Sequence, residues 1–427
     1  MGAEKLALFG GAKTVTLPRP KWPRITEEEI AAVLKQMLTG SISEIGREGV
    51  IADFENEFAA YQGRKYALSF SSGTASIHGA LFAAGVGPGD EVLQTSNTWA
   101  SAITAILHCN GIPVFCDIVS DGFAIDPEEI RLKASKKAKA VIVTHLWGIP
   151  AGMDEILKVA EEKNLTVIED CSHAPGATYK GRKVGSIGHM GCFSLQGSKS
   201  IVAGEGGVMV TDERLFYERA MLPGHHGVRL EQELTLEETK RYSKCGMYWK
   251  YRAVPISMAI ARVQLKHLDE WNRNRRQNLE YLKEKTKDLD FIVWPQIPSY
   301  TTIGFYGTPV FYDQAAAEGV SREVFLTAMQ AEGLPLGTGY PLWYLEPIFQ
   351  DGFFYGRRTT SRKHKHGDLP NTEKIAGKTL ILPATAFVTP CTELMDQFAE
   401  AYHKVAENIG SLKNQKLLAR LQKPNPA

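Results

Sequence analysis

Three groups of residues in this chain have the types and the order to carry chemistry together. Lys199 lies between two apolar runs, Gly191-Cys192-Phe193-Ser194-Leu195 and Gly204-Glu205-Gly206-Gly207-Val208-Met209-Val210. The pattern predicts a strand, a tight loop bearing the lysine, a glycine turn and a second strand. About thirty residues upstream, Val167-Ile168-Glu169-Asp170 reads as a buried strand ending in carboxylates. Farther upstream, Ser71-Ser72-Gly73-Thr74-Ala75 reads as the opening of a helix. An amine, a strand-end carboxylate and a glycine-bearing helix start are the three groups that pyridoxal phosphate needs.

In that reading Lys199 forms the imine and later shuttles a proton, a step worth roughly 10²–10⁴-fold. Asp170 keeps the pyridine nitrogen protonated, so that the ring accepts electrons. Each pKa unit gained by that nitrogen corresponds to ~1.4 kcal/mol. Ser72, Gly73 and Thr74 offer a phosphate close backbone approach and free N–H groups at a helix N-terminus. The dipole adds about 0.3–1 kcal/mol at exposed sites and up to ~2 when partly buried. Trp99 follows the strand ending near Leu93, where an indole can stack on a flat heteroaromatic ring. His173 has reach for the ring hydroxyl, and Ser194, five residues before the lysine, for the phosphate. Taken singly, each residue also suits an ordinary role: helix N-cap, core tryptophan, strand-end cap, structural histidine or surface lysine. The order of the whole set is what singles it out.

The elements that must position these residues alternate along the chain. Short apolar or β-branched runs occur at 91–93, 113–116, 140–143, 165–168, 192–194 and 208–210, with helix-like segments between them, such as Asp154 to Lys163. Such alternation predicts a mostly parallel sheet covered by helices on both faces. Ligands gather at the carboxyl ends of such strands, where Asp117, Asp170 and Thr144-His145 fall. Residues 1–30 are expected to form an N-terminal arm, with Leu17-Pro18-Arg19-Pro20-Lys21-Trp22-Pro23 unable to form regular helix. A helix is predicted from Glu27 to Leu38. Residues 31–290 are assigned to a large α/β domain. Pro255 to Trp271 reads as a long helix apolar on several sides, hence buried or at a subunit contact. Residues 291–427 read as a smaller α+β domain. It holds a strand over Thr308–Tyr312 and helices over Arg322–Glu332 and about Cys391–Ile409. The basic run Arg357–His366 is expected to be an exposed loop, either merely solvated or facing an anionic substrate. The polar end from Lys413 to Ala427 is expected to fray.

Bulk properties narrow the function class. The 427 residues are 44% hydrophobic and 23% charged, which predicts a folded soluble protein with sizeable cores. Lys and Arg number 49 against 48 Asp and Glu, a net charge of +1. That balance provides no field for nucleic acid or an anionic membrane. No apolar run approaches the roughly 18 residues of a membrane span. The first residues are too soon broken by polar and glycine positions to read as a signal peptide. The six cysteines form no Cys-x-x-Cys pair, and Cys116, Cys171 and Cys192 lie in or beside strand-like runs. Reduced core thiols, a cytoplasmic setting and no metal site are expected.

With these motifs on the page, the chain resembles the fold-type I, pyridoxal-phosphate-dependent sugar aminotransferases of the DegT/StrS type. The resemblance rests on Phe9-Gly10-Gly11, Ser71–Ala75, Gly87-Pro88-Gly89-Asp90-Glu91-Val92, Asn97-Thr98-Trp99, His145-x-x-Gly148, Glu169-Asp170-x-x-His173, Phe193-Ser194-x4-Lys199 and Gly204–Gly207, continued by Tyr251-Arg252 and Gln264-Leu265. It implies the aspartate-aminotransferase fold: a large domain with a mostly parallel seven-stranded sheet and a smaller C-terminal α+β domain, paired as a homodimer. It also implies Lys199 as the Schiff-base lysine, Asp170 at the pyridine nitrogen, Trp99 on the ring, and Gly73, Thr74 and Ser194 on the phosphate. The implied reaction is ping-pong transfer of an amino group from glutamate or glutamine to a keto-sugar or keto-cyclitol, in antibiotic or polysaccharide biosynthesis. Two departures stand out. Family members commonly read Gly-Tyr-Asn-Tyr-Arg where this chain has Tyr248-Trp249-Lys250-Tyr251-Arg252. Lys250 would then replace an asparagine that reaches the neighbouring subunit's phosphate. Many members acting on nucleotide sugars read Pro-Leu-His where this chain has Pro341-Leu342-Trp343, which argues against a nucleotide-linked substrate, and the Phe9-Gly10-Gly11 start is more similar to members acting on inososes and other cyclitol precursors. The alternatives are a dehydratase on the same scaffold, in which histidine replaces the lysine, and a non-catalytic binding protein.

Overall fold

The computed structural model describes residues 4–413, so the polar end expected to fray lies, beyond Lys413, outside the described residues. Seven strands build the main sheet: β1 (Tyr66–Phe70), β2 (Glu91–Thr95), β3 (Ile112–Cys116), β4 (Ala138–Thr144), β5 (Thr166–Asp170), β6 (Met190–Ser194) and β7 (Gly207–Thr211). Their order is β1-β7-β6-β5-β4-β2-β3. β7 alone runs against the rest, pairing antiparallel with β1 and β6. β6 and β7 are buried along their whole length, as strands covered by helices on both faces must be. β1 was missing from the predicted runs, because Tyr-Ala-Leu-Ser-Phe mixes small and polar residues. Its pairing to β7 makes it a strand. The predicted helices occupy Glu27–Leu38, Met153–Glu162, Arg322–Glu332 and Thr392–Glu407.

A second sheet of four antiparallel strands, β8 (Ile292–Val293), β9 (Gly307–Tyr312), β10 (Gly337–Thr338) and β11 (Thr379–Pro383), has the order β8-β9-β11-β10. It backs onto the helices Arg322–Glu332 and Thr392–Glu407 in a separate core. The helix predicted to stop at Trp271 runs from Pro255 to Lys285, 31 residues. Nothing between Asn272 and Lys285 breaks it, since no glycine or proline occurs there. Met258, Leu265 and Leu268 pack in the core of the main sheet, while Leu279 and Leu282 pack in that of the second. The chain thus changes cores inside this helix, ahead of a boundary at residue 290.

The arm is likewise part of a core. Leu6 and Val15 are buried with the second sheet. The Ala7 and Thr14 N–H groups donate to the buried Glu332 carboxylate at 2.7 and 3.1 Å, and Lys404 Nζ donates to it at 3.0 Å. The basic run also departs from a free loop. Phe353–Phe354 and Arg357–Arg358 form an exposed hairpin, but Thr359, Thr360 and His364 are buried. The His364 ring lies 5.5 Å from that of Phe115 on β3. The segment is thus packed against the side chains that cover β3.

Replacing Glu332 strands a buried ammonium and several N–H donors at once. Glu332→Ala is expected to lower stability by about 3–5 kcal/mol in urea titrations, whereas breaking an exposed pair such as Lys287–Glu284 should leave the urea midpoint nearly unchanged.

Candidate active site

The loop ends of β4, β5 and β6 and the N-terminus of the helix Gly73–Ala83 meet in a cavity of about 390 Å³. Its wall includes Ser72, Gly73, Thr74, Trp99, Asp170, His173, Ser194 and Lys199. Eight of the nine residues read from the sequence as cofactor-binding are therefore brought together. The ninth, Lys250, is not.

Lys199 is 8% exposed and lies in the loop between β6 and β7, outside regular structure. Burial pulls its amine down to about 8, against the opposing pull of the Asp170 carboxylate. Nζ stands 4.2 Å from the centroid of the Tyr306 ring. Asp170 ends β5 and accepts from the Ser172 N–H at 3.1 Å. It forms no ion pair among the described residues, which leaves its charge directed at the cavity.

Successive strand residues face opposite sides of a sheet, and Glu169 shows what the other side does. Its oxygens accept from the N–H groups of Gly185, Ile187 and Gly188 at 2.8, 2.7 and 2.6 Å, and Nε2 of His145 lies 3.0 Å away. Burial alone would raise this carboxyl; the His145 contact and the backbone donors hold it below the usual range. Glu169, His145 and Cys171 lie close enough to share a metal ion. Both Glu169 oxygens and both His145 nitrogens are, however, already engaged, His145 Nδ1 by the Ala151 N–H at 3.0 Å. This trio is scaffold. Asp117 also turns out structural: it accepts from the N–H groups of Asn371 and Thr372 at 2.9 and 2.7 Å, pinning the helix Pro370–Lys378.

Across the cavity, the Ser72 hydroxyl caps the helix by accepting from the Ala75 N–H at 3.1 Å. The first-turn N–H groups of a helix have no intrahelical acceptor. At Gly73 a Cβ would fall 2.7 Å from that of Ser194, so only glycine fits there. A glycine-lined helix start beside a serine hydroxyl, with a buried amine opposite, is a donor set that suits a phosphate monoester attached to an aldehyde.

His173 is held in a stack, with its ring 3.9 Å from Tyr306 and 5.5 Å from Trp147. The Trp147 N–H donates to Nδ1 at 3.3 Å, which assigns the ring proton to Nε2, 3.2 Å from the Tyr340 hydroxyl. Burial and the nearby Lys199 push the imidazole's pKa well down, so it is neutral. Trp99 is 52% exposed, which removes the core-tryptophan reading. Its ring lies 5.6 Å from Tyr340 and 6.3 Å from Trp343, whose indole N–H donates to the Thr98 carbonyl at 2.7 Å. Tyr306 and Tyr340 escaped the sequence reading. They reach the site from the second domain, and no local pattern marks them.

Lys250 is exposed in left-handed backbone, φ 57°, outside the cavity wall of its own chain. Its neighbour Tyr251 accepts from the Ser71 N–H at 2.6 Å, which ties this segment to the phosphate-type loop.

An amine near 8 predicts a specific pH profile. An ordinary lysine is neutral in only roughly one molecule in 300 at pH 8. The rate at which this amine condenses with an added aromatic aldehyde is expected to climb with pH as the ammonium deprotonates, and to level off above about 8. Stopped-flow absorbance between pH 6 and 10 measures it; a rise continuing to pH 10 would mean an unperturbed lysine.

Comparison with known proteins agrees with this geometry. A model of the DegT/DnrJ/EryC1/StrS aminotransferase family matches residues 23–397. The L-glutamine:2-deoxy-scyllo-inosose aminotransferase of Streptomyces fradiae is 32% identical over 426 residues, 95% of this chain and 99% of that protein. Spore coat polysaccharide biosynthesis protein SpsC of Bacillus subtilis is 31% identical over 372 residues, 84% of this chain and 90% of that protein. The X-ray structure of an aminotransferase from Psychrobacter cryohalolentis has a TM-score of 0.81 at 27% identity, covering 92% of this chain and 100% of that one. The chain belongs to the DegT/DnrJ/EryC1/StrS aminotransferase family and is an aminotransferase.

Proposed function

We propose that this aminotransferase uses pyridoxal phosphate to move an amino group from glutamine or glutamate to a keto-cyclitol of the inosose type. The observation that carries the reading is the buried Lys199 amine facing Asp170 in a cavity whose wall holds no other cationic side chain. When bound, the cofactor supplies an electrophilic aldehyde and a ring that takes up the electron pair released at a substrate carbon. The N–H groups of Gly73 and Thr74 and the Ser194 hydroxyl hold its phosphate. The Asp170 carboxylate would keep its ring nitrogen protonated, and the Nε2–H of neutral His173, which meets the Tyr340 hydroxyl at 3.2 Å, would be the donor for its ring hydroxyl on giving up that partner. Lys199 would hold it covalently until the amine of the amino donor takes its place on the aldehyde carbon, and the freed lysine amine would then take the donor's α-proton and later return a proton to the acceptor carbon.

The acceptor class follows from the rim. Trp99 and Tyr340 line the cavity, and aromatic rings suit the C–H faces of a polyol ring. Among the described residues, the wall of this cavity offers a nucleotide diphosphate no lysine or arginine besides Lys199. The relatives support the same class, since the Streptomyces fradiae protein is named for glutamine and 2-deoxy-scyllo-inosose.

A homodimer completes the reading. Ile30, Leu34, Leu38, Ile42 and Ile45 are exposed, as are Met247, Tyr248 and Trp249. The two segments adjoin, because the Arg252 guanidinium donates to the Glu44 carbonyl at 2.9 Å. An apolar face of this extent marks an interface. Lys250 is exposed beside Tyr248 and Trp249, and in this reading it would reach a partner's phosphate loop. The thiols are free, four of the six buried, which suits a reducing cytoplasm.

The direct test incubates the enzyme with glutamine or glutamate and a panel of inososes and keto-sugars, with product NMR. Amination of keto-sugar nucleotides alone would overturn the acceptor class. Lys199→Ala should abolish turnover. Asp170→Asn should keep the fold and lose at least roughly 100-fold in kcat, the equivalent of two pKa units at the ring nitrogen. For Lys250, subunit mixing decides. Lys250→Ala should weaken cofactor retention roughly tenfold or more. Mixed dimers with Lys199→Ala should regain activity, since one of their two sites keeps both lysines. No recovery would place Lys250 outside the partner's site.

A further inference from the structure

We propose that Arg275 and Trp22 are a positioning pair that fixes the catalytic lysine and ties it to the second domain. The inference rests on reading Lys199 as the cofactor-bearing residue. Lys199 and Ser200 lie in a loop without a strand ladder, closed at its base by Leu195, whose N–H donates to the Gly206 carbonyl at 2.9 Å. The carbonyls of these two consecutive residues are both bound by side chains from elsewhere. The Trp22 indole N–H donates to the Lys199 carbonyl at 3.0 Å, and Arg275 Nη2 donates to that of Ser200 at 3.1 Å.

Arg275 is completely buried on the long helix, yet it pairs with no carboxylate among the described residues. Its remaining bonds also go to neutral acceptors. Nε and Nη2 reach the Thr385 carbonyl at 3.1 and 2.8 Å, and Nη1 reaches Asn272 Oδ1 at 2.8 Å. The guanidinium lies 5.1 Å from the Trp22 ring, which is set edge-on to Trp271 at 5.6 Å. Burial pulls its pKa down to about 9, so it keeps its charge at neutral pH.

A buried cation without a counter-charge is a poor way to stabilise a core. What the guanidinium offers is a rigid planar fork. One edge of it joins the loop of Lys199 to Thr385, just past β11 in the second sheet. A shift of that domain therefore acts on the lysine's own backbone. The Trp22 ring lies against the fork and anchors the preceding carbonyl, so the N-terminal arm closes the clamp. Misplacing a reacting group by about 1 Å costs roughly 100-fold in rate, and a loop lysine on a flexible stem needs such anchoring more than a lysine on a helix does.

The test compares the parent dimer with Trp22→Phe, Arg275→Lys and Arg275→Gln. Trp22→Phe keeps an aromatic ring over Arg275 and loses the N–H. Arg275→Lys keeps the charge and loses the fork. Three quantities are read: the rate of covalent capture of pyridoxal phosphate by cofactor-free protein, the fraction of bound cofactor trapped on Lys199 by borohydride, and kcat against KM for the amino donor. Arg275→Gln is expected to slow capture and kcat roughly 10–100-fold with donor KM within about threefold, and Arg275→Lys to recover only part. Trp22→Phe should slow capture about 3–10-fold, and the double variant should lose less than the product, since both residues act on one loop. A merely structural arginine would change melting temperature and leave capture per folded molecule at the parental rate. Capture and kcat within about twofold of the parent in Trp22→Phe and in folded Arg275→Lys would overturn the proposal. If neither Arg275 variant folds, Trp22→Phe decides alone. A parent dimer whose cofactor cannot be trapped on Lys199 removes the functional reading itself, and the proposal with it.

Discussion

Taking the Lys199 amine out of water weakens its hold on a proton, and the rest of the site depends on how far that goes. Exposed, the amine would be an ammonium at neutral pH and no nucleophile. Buried beside nothing, it would lose its charge altogether and with it the ability to return a proton. Asp170 sets the compromise, opposing burial so that the amine titrates near 8. The two groups share one cavity and form no ion pair. A direct pair would lock the ammonium and occupy the carboxylate that the proposed function assigns to a cofactor's ring nitrogen. The site therefore has to hold opposite charges near each other and apart, which only a stiff surrounding can do.

That stiffness comes from polar groups satisfied away from the cavity. Glu169 and Asp170 are neighbours on β5, yet Glu169 is filled by backbone donors and His145 while Asp170 keeps capacity free. His145 and His173 both have their two nitrogens engaged, but the partners differ: those of His145 belong to the scaffold, whereas Nε2 of His173 meets the hydroxyl of Tyr340 on the cavity wall. For the two neighbouring carboxylates, hydrogen-bond saturation rather than residue type separates scaffold from cavity wall.

The same distinction explains what was legible in the sequence. Asp170, Lys199 and the Ser72–Thr74 loop could be read because strand ends and helix starts are local events, and parallel strands bring their carboxyl ends together whatever the details. Asp117 shared the strand-end signature and proved structural, since its partners Asn371 and Thr372 lie more than 250 positions away. Tyr306 and Tyr340 were illegible for the same reason: they meet His173 from another domain, across 133 and 167 positions. Strand β1 was hidden by its mixed composition, and the long helix by the lack of any stop signal to show where one core gives way to another.

That changeover is where the fold solves its hardest packing problem. Asn272, Arg275 and Asn278 recur at intervals of three on the long helix, between the stretch buried in one core and the stretch buried in the other, and all are buried. Each donates to a carbonyl of a loop: Asn272 to Pro175 at 3.0 Å, Arg275 to Ser200 and Thr385, and Asn278 to Thr389 at 2.8 Å. Loops at a domain junction have no ladder to take up their carbonyls, and a buried carbonyl left without a donor costs about 1–3 kcal/mol. An apolar stripe here would pack against those groups and leave them unpaired. A polar stripe satisfies them and fixes which loop faces which. Because one of those loops carries Lys199, the arginine that joins the second sheet to the main one also holds the backbone beside the amine that the proposed function makes catalytic.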